Sequence, residues 1–440
     1  MQVVYNSGHR ARSSTPLHVV IYSLIPEDRA YQPIGRSGFL KAKNQARRWT
    51  ELLRWRFLGR WRAHYSTFKD RNNTNRGDIA IRMAVRQQIE RAFARQPITV
   101  TELAWGELDM VLKMSPPPDL VVIGGGGFLF ADRDGRLPPR FARDVAALEA
   151  VSCPVAACAI GLNWLIESGT EKTFRFHRES LECIRRFLSR LTLGSVRDAN
   201  SQRALAAVAR RHLPVIVDSA FLLAAPAPPR SAEKMNRPIQ IGLNLAFHGP
   251  HTSMTSHRML PLMVNVCRRL EHDVSCRFTY FVHSDGEVGL AAALKLSGVQ
   301  LDVVNDDVAP MLDAYRKMDI HVGQMLHSAI LAMSVGTPAL SLAYDMKSAG
   351  LYDLLGLKEL CLDASTATEE EIVFSIKALI KSRDAVSAAL ISRRADLEAE
   401  SHAFFAAVAA LAPSYRSGRL APLHSGETSA QEDIRTFKRK

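Results

Sequence analysis

Residue types able to do acid–base and anion chemistry recur in six short clusters: Asn75-x-Gly77-Asp78, Gly124-Gly125-Gly126-Gly127, Arg197-Asp198, His283-Ser-Asp285, His327 and Asp345-x-Lys347. Together they offer cations, backbone N–H donors, carboxylates and an imidazole that titrates near neutrality, a set suited to a group transfer from an anionic donor. Glycines can bring backbone amides close to a phosphate or carboxylate, and a histidine where a strand hands over to a helix is placed to move a proton. The sequence holds no helical His-x-x-x-His, acidic metal cluster, Walker motif or Gly-x-Gly-x-x-Gly, so no obligatory metal or bound cofactor is expected. Bland roles compete at each position: a glycine run can be a ligand-free turn, Asp198 can cap a helix, and a lone histidine can be structural.

The elements that must position these clusters are strands that run into them. Ile320 to Val322 reads as a buried strand, Gly323 to His327 leads into a small-residue helix, Gly336-Thr-Pro338 stops it, and Ala339 to Tyr344 reads as the next strand. Asp119 to Ile123 runs straight into the four glycines, and Leu193 to Val196 runs into Arg197-Asp198. The same alternation of strand and helix fills both halves of the chain, which predicts an α/β protein of two doubly wound Rossmann-like domains facing across a cleft, with ligands at the carboxyl ends of strands. The expected boundaries are an N-terminal domain at 1–223, a proline-rich linker at 224–238, a C-terminal domain at 239–383, a closing helix at 384–412 and a disordered polar tail at 413–440.

With 440 residues, 47% hydrophobic and 23% charged, the chain can bury two cores. It has no apolar run of membrane-spanning length and no secretory signal, so a cytoplasmic protein is expected. Six cysteines without a C-x-x-C pair read as reduced thiols. A net charge of +13 implies an anionic partner. Much of it sits in residues 36–62, where nine Arg or Lys face the single acid Glu51 and Trp49, Leu53, Phe57 and Trp61 repeat every fourth residue. The block reads either as a helix anchored at an anionic membrane surface, making the protein peripheral at the inner face of the plasma membrane, or as a surface helix docked on its own domain. Nucleic acid is not expected as a partner, since no nucleic-acid module surrounds the block.

Taken in order, these motifs resemble the polysaccharide pyruvyl transferase family. The resemblance covers roughly 72 to 357 and rests on the Asn75-x-Gly77-Asp78 turn, the glycine run, Val-Arg197-Asp198 with Ser201, Asp218-Ser-Ala-Phe221, and His327, Gly336-Thr-Pro338 and Tyr344-Asp345-x-Lys347. One position departs: Met325 stands where the family carries an arginine two residues before the histidine. The resemblance implies a GT-B-like fold, phosphoenolpyruvate as co-substrate with no other cofactor, and a pyruvate ketal placed on a sugar of a surface polysaccharide or its lipid-linked precursor. It also implies that His327 is the general acid and that Asp78 or Asp198 orients a hydroxyl. Asn75, Gly77, Gly124 to Gly127, Arg197, Asp345 and Lys347 would hold donor and substrate. The alternatives are a GT-B-type glycosyltransferase using a nucleotide-sugar and, given Met325, a non-catalytic sugar-binding relative.

Overall fold

Runs of Val, Ile and Leu with almost no exposed surface form the central strands, as a parallel sheet covered on both faces requires, while the edge strands Ile98–Leu103, Leu301–Val304 and Cys361–Asp363 are partly exposed. The structure, a computed structural model, describes residues 15–23, 32–71, 75–132, 134–164, 175–209, 211–226, 237–247 and 255–419. Most of the expected linker and the tail from 420 onward lie outside the described residues.

The N-terminal lobe runs β1 (Leu17–Tyr22), α1 (Gly38–Leu58), α2 (Arg76–Ala92), β2 (Ile98–Leu103), β3 (Leu120–Ile123), β4 (Gly126–Ala131), α3 (Pro139–Ala150), β5 (Val155–Trp164), α4 (Arg178–Arg190), β6 (Leu193–Val196) and α5 (Ala199–Ala209). Its strands are all parallel, ordered β2-β1-β3-β5, with β6 also on β5. The glycine run is not the turn that its composition suggests. Ile123 pairs with Ala157 and Gly126 with Ile160, so the chain stays on β5 through the glycines, and the register then slips by one residue before Leu129 pairs with Leu162; the glycines are a kink with a bulge inside a continuing strand. Gly125 and Gly126 have φ of 72° and 73°, the left-handed region that a side chain disfavours, and a Cβ on Gly125 would press on the Cys158 carbonyl at 3.0 Å.

The C-terminal lobe runs β7 (Ile239–Asn244), α6 (Leu260–Asp273), β8 (Cys276–Phe281), α7 (Val288–Leu296), β9 (Leu301–Val304), α8 (Val308–Tyr315), β10 (Ile320–Gly323), α9 (Leu326–Ser334), β11 (Ala339–Ala343), α10 (Met346–Leu355) and β12 (Cys361–Asp363). Its parallel sheet is ordered β12-β11-β10-β7-β8-β9, so the strand order reverses between β10 and β7. The expected pair of doubly wound lobes is therefore what the chain forms, and His327, just after β10, lies at the switch point where such sheets collect ligands.

The closing helix differs from expectation. Instead of a break near residue 383 and an end at 412, α11 runs unbroken over Glu369–Arg416, opened by a Thr368/Glu371 capping box. It crosses both lobes: Arg394 donates to the carbonyls of Phe221 and Ser334, and Arg416 pairs with Asp119 at the foot of β3. One apolar core spans the seam, joining Val19 and Ile81 to Ile241 and Leu331, so the lobes are packed together along part of their boundary. Among the described residues no helix is long and apolar enough to cross a membrane.

Candidate functional site

The site is built where the first turn of α2 meets the first turn of α9. Asn75 caps α2, its Oδ1 accepting from the Gly77 N–H at 3.1 Å and its Nδ2 donating to Asp78 at 2.7 Å. This turn presents Gly77 to the other lobe, and the His327 ring lies directly on it: any Cβ at 77 would overlap the imidazole. Glycine is required there by close approach rather than by backbone angle.

Beneath the ring, the His327 Nε2 is 3.6 Å from Asp218 Oδ2, a charge-pair distance. Asp218 in turn is 3.5 Å from the Arg197 guanidinium, whose Nε is 3.6 Å from Asp198. Burial alone would raise the Asp218 carboxyl, but His327, Arg197 and the Ala220 N–H together hold it below the usual carboxylate range. Arg197 lies flat against β5, where a Cβ on Gly161 would collide with it. On the far side Lys347 pairs with Asp345 at 2.9 Å and reaches across the seam to Asn163 at 3.4 Å. Burial would lower the Lys347 ammonium, yet Asp345 and Tyr344 keep it raised. Asp78 keeps some contact with solvent, and enclosure by protein on its other sides pushes its carboxyl up to about 6, against the opposing pull of His327 and Lys347.

The cluster is under-satisfied. Arg197 Nε and Nη2, Asp218 Oδ2 and His327 Nε2 are all buried without a hydrogen-bond partner, and His327 is 9% exposed. Buried polar groups are normally paired, so several orphans converging on one spot mark a place shaped for a polar ligand. Two cations with orphaned or reachable donors, an imidazole and two carboxylates can hold an anion, deliver one proton and accept another.

Of the residues singled out from sequence, Asn75, Gly77, Asp78, Arg197, His327, Asp345 and Lys347 are brought together here. Asp198 is beside them, but both its oxygens accept from Ser201 at 2.7 and 2.9 Å, so it caps α5. Gly124 and Gly125 do not form an anion cradle, because their amides already donate to the Tyr22 and Ile123 carbonyls. Gly126 is buried within the strand kink, and Gly127 reaches the site only by packing on Asn163. His283 and Asp285 belong elsewhere: the buried His283 ring bonds Tyr315 at 2.8 Å, and Asp285 pairs with Arg71 and Arg76. Met325 is packed in a small apolar cluster with Ala246 and Tyr344. Sequence reasoning assigned no role to Asp218, Asn163 or Gly161. Only for Asp218, which ends an apolar run as a motif residue, was there a signal. Among the described residues no group of three or more His, Cys, Asp or Glu converges as metal ligands.

Comparison with known proteins places the stretch that carries these residues in one family. The family profile described as polysaccharide pyruvyl transferase matches residues 75–346, from the cap of α2 to the start of α10. The amylovoran biosynthesis protein AmsJ of Erwinia amylovora is 36% identical over 59 residues, which is 13% of this chain and 14% of that protein. Among solved structures, a trehalose-6-phosphate synthase is similar over 92% of this chain and 100% of its own, at 12% identity and a TM-score of 0.45. The UDP-GlcNAc 2-epimerase of Methanocaldococcus jannaschii covers 83% of this chain and 93% of its own, at 11% identity and a TM-score of 0.44.

Proposed function

We propose, from the premise that this chain belongs to the polysaccharide pyruvyl transferase family, that it transfers pyruvate from phosphoenolpyruvate to a sugar of a surface polysaccharide or its lipid-linked precursor, closing a ketal across two hydroxyls. The observation that carries this reading is the pair of buried Arg197 nitrogens without a hydrogen-bond partner, set beside the Asp218–His327 pair at the lobe seam. An anionic donor is what a guanidinium with two free nitrogens would accept.

The chemistry requires a proton on the enol methylene, attack of a sugar hydroxyl on the neighbouring carbon, and then attack of a second hydroxyl as phosphate leaves. His327 delivers the methylene proton, with Asp218 behind its Nε2 fixing the ring over Gly77. Asp78, held up to about 6, takes a hydroxyl proton near neutral pH. Arg197 and Lys347 hold the donor's carboxylate and phosphate, so the cation missing at Met325 is supplied from other elements. No cofactor beyond the donor is needed. The acceptor places the protein on the cytoplasmic side, at the membrane that carries lipid-linked precursors.

Incubation with labelled phosphoenolpyruvate and lipid-linked sugars, scored for acid-labile pyruvate on the glycan, tests the reading. Label on the glycan, lost in His327→Ala, is the expected result. No label with any acceptor, together with transfer from a nucleotide-sugar, overturns it in favour of a glycosyltransferase.

A further inference from the structure

We infer that α1 is an interfacial helix that seats the protein on an anionic lipid bilayer, an inference that rests on the proposed lipid-linked acceptor for its purpose but not for its geometry. The helix has two unlike sides. Toward the protein it buries Glu51 and Trp55, with the Trp55 indole donating to the Ala293 carbonyl and Ser297 Oγ at 3.0 Å each and Arg56 donating to the Leu296 carbonyl at 3.0 Å. These partners belong to α7 and the residue after it, so the aromatic side docks on the C-terminal lobe, where one sequence reading had it docked on its own domain; toward that domain Arg48 donates to the Thr67 carbonyl at 2.7 Å and pairs with Asp70.

Away from that docked side, Phe39, Ala42, Ala46, Trp49, Leu53 and Phe57 follow one another at three- and four-residue steps, one continuous face of a helix. All are exposed: Phe39 by 77%, Trp49 by 60%, Leu53 by 53% and Phe57 by 77%. Of the large hydrophobic side chains exposed among the described residues, six lie in this one helix and the other five are scattered over the rest. The tryptophans that dock are Trp55 and Trp61; Trp61 lies beyond the Gly59 cap and stacks on Phe68 at 5.4 Å. The face that pays for contact with water is therefore not left over from docking. It is a separate stripe about 30 Å long, the length of 21 helical residues.

Charge identifies the occupant. Lys41, Lys43, Arg47, Arg56, Arg60 and Arg62 are all exposed around the stripe, while the block's only acid, Glu51, is turned inward and paired with Arg54 at 2.6 Å. A second copy laid on the same stripe would set these cations against their own kind, whereas anionic headgroups neutralise them as the aromatics enter the acyl boundary. The seat is joined to the site: the chain returning from α1 carries Arg71, which shares the Asp285 carboxylate with Arg76, the residue before Gly77.

Flotation of the full chain with vesicles of phosphatidylglycerol in phosphatidylcholine, and with phosphatidylcholine alone, tests the inference without donor or acceptor, so its outcome is independent of whether pyruvyl transfer occurs. Binding to the anionic vesicles that weakens with salt is expected. Trp49→Ser with Phe57→Ser, and separately Lys43→Glu with Arg47→Glu, each weaken it about tenfold or more, with the thermal midpoint unchanged. Equal binding to neutral vesicles, binding untouched by either pair, or a dimer that the stripe variant dissociates in a protein that ignores vesicles would overturn it.

Discussion

Arg76 and Arg197 are both buried at the seam between the lobes, and the structure treats them in opposite ways. Arg76, fully buried at the start of α2, donates to Asp285 at 3.0 Å, to the Asp306 carbonyl at 3.1 Å and to Asn305 at 2.7 Å, while its amide bonds the His283 carbonyl at 2.9 Å. Arg197, 4% exposed, has carboxylates only at 3.5 and 3.6 Å and two nitrogens without a hydrogen-bond partner. Equal burial of the same group carries opposite meanings. A saturated guanidinium locks two lobes in place, and an unsaturated one that shares the Asp218 carboxylate with an imidazole keeps room for an anion.

If the unsaturated region is the chemical one, His327→Ala gives the largest effect in the molecule on rate and a small one on stability. Removing a general acid costs about 10²–10⁴-fold in turnover, and a thermal melt within a few degrees of wild type separates that from unfolding. A fall in melting temperature with turnover intact would place His327 in the saturated class.

Arg76→Met sharpens the contrast from the other side. Leaving Asp285 without its buried partner costs about 3–5 kcal/mol, read as a shifted denaturant midpoint, because the clamp is architectural. A stable variant without activity would erase the distinction between the two regions.

The smallest effect is in pH. A carboxyl raised by burial is protonated below its shifted value, so a base at Asp78 is lost as pH falls through about 6. Wild-type turnover should show an acidic limb there. Asp78→Asn should lie about 10²-fold lower, the low end for a general base, and lose that limb, while Asp285→Asn, in the saturated region, should leave its position unchanged.

Much of this was legible in the sequence. Alternating apolar runs gave both sheets, and the strand ends named His327, Asp78, Arg197 and Lys347, because backbone periodicity and the switch-point rule are local properties. What escaped depends on partners distant in sequence. Gly124 to Gly127 looks like a turn until β5 is seen pairing on both sides of it, with a one-residue slip after Gly126. Arg76 stood as a spacer inside Asn75-x-Gly77-Asp78, since its partners at 283, 285, 305 and 306 come from the other lobe. Trp49 and Trp55 are indistinguishable by composition, and only docking on α7 decides that one faces in and the other out. The expected break in α11 fell at Lys381 to Asp384, a polar stretch with neither glycine nor proline to end a helix.

Isothermal titration of phosphoenolpyruvate into the wild-type chain and into Arg197→Gln asks most directly whether the orphaned guanidinium is a donor site. Saturable binding by the wild type, weakened at least about tenfold in the variant as a charged hydrogen-bond partner is removed, is the expected result. Wild-type binding that the substitution leaves untouched, or none at all beside firm binding of a nucleotide-sugar, would contradict it.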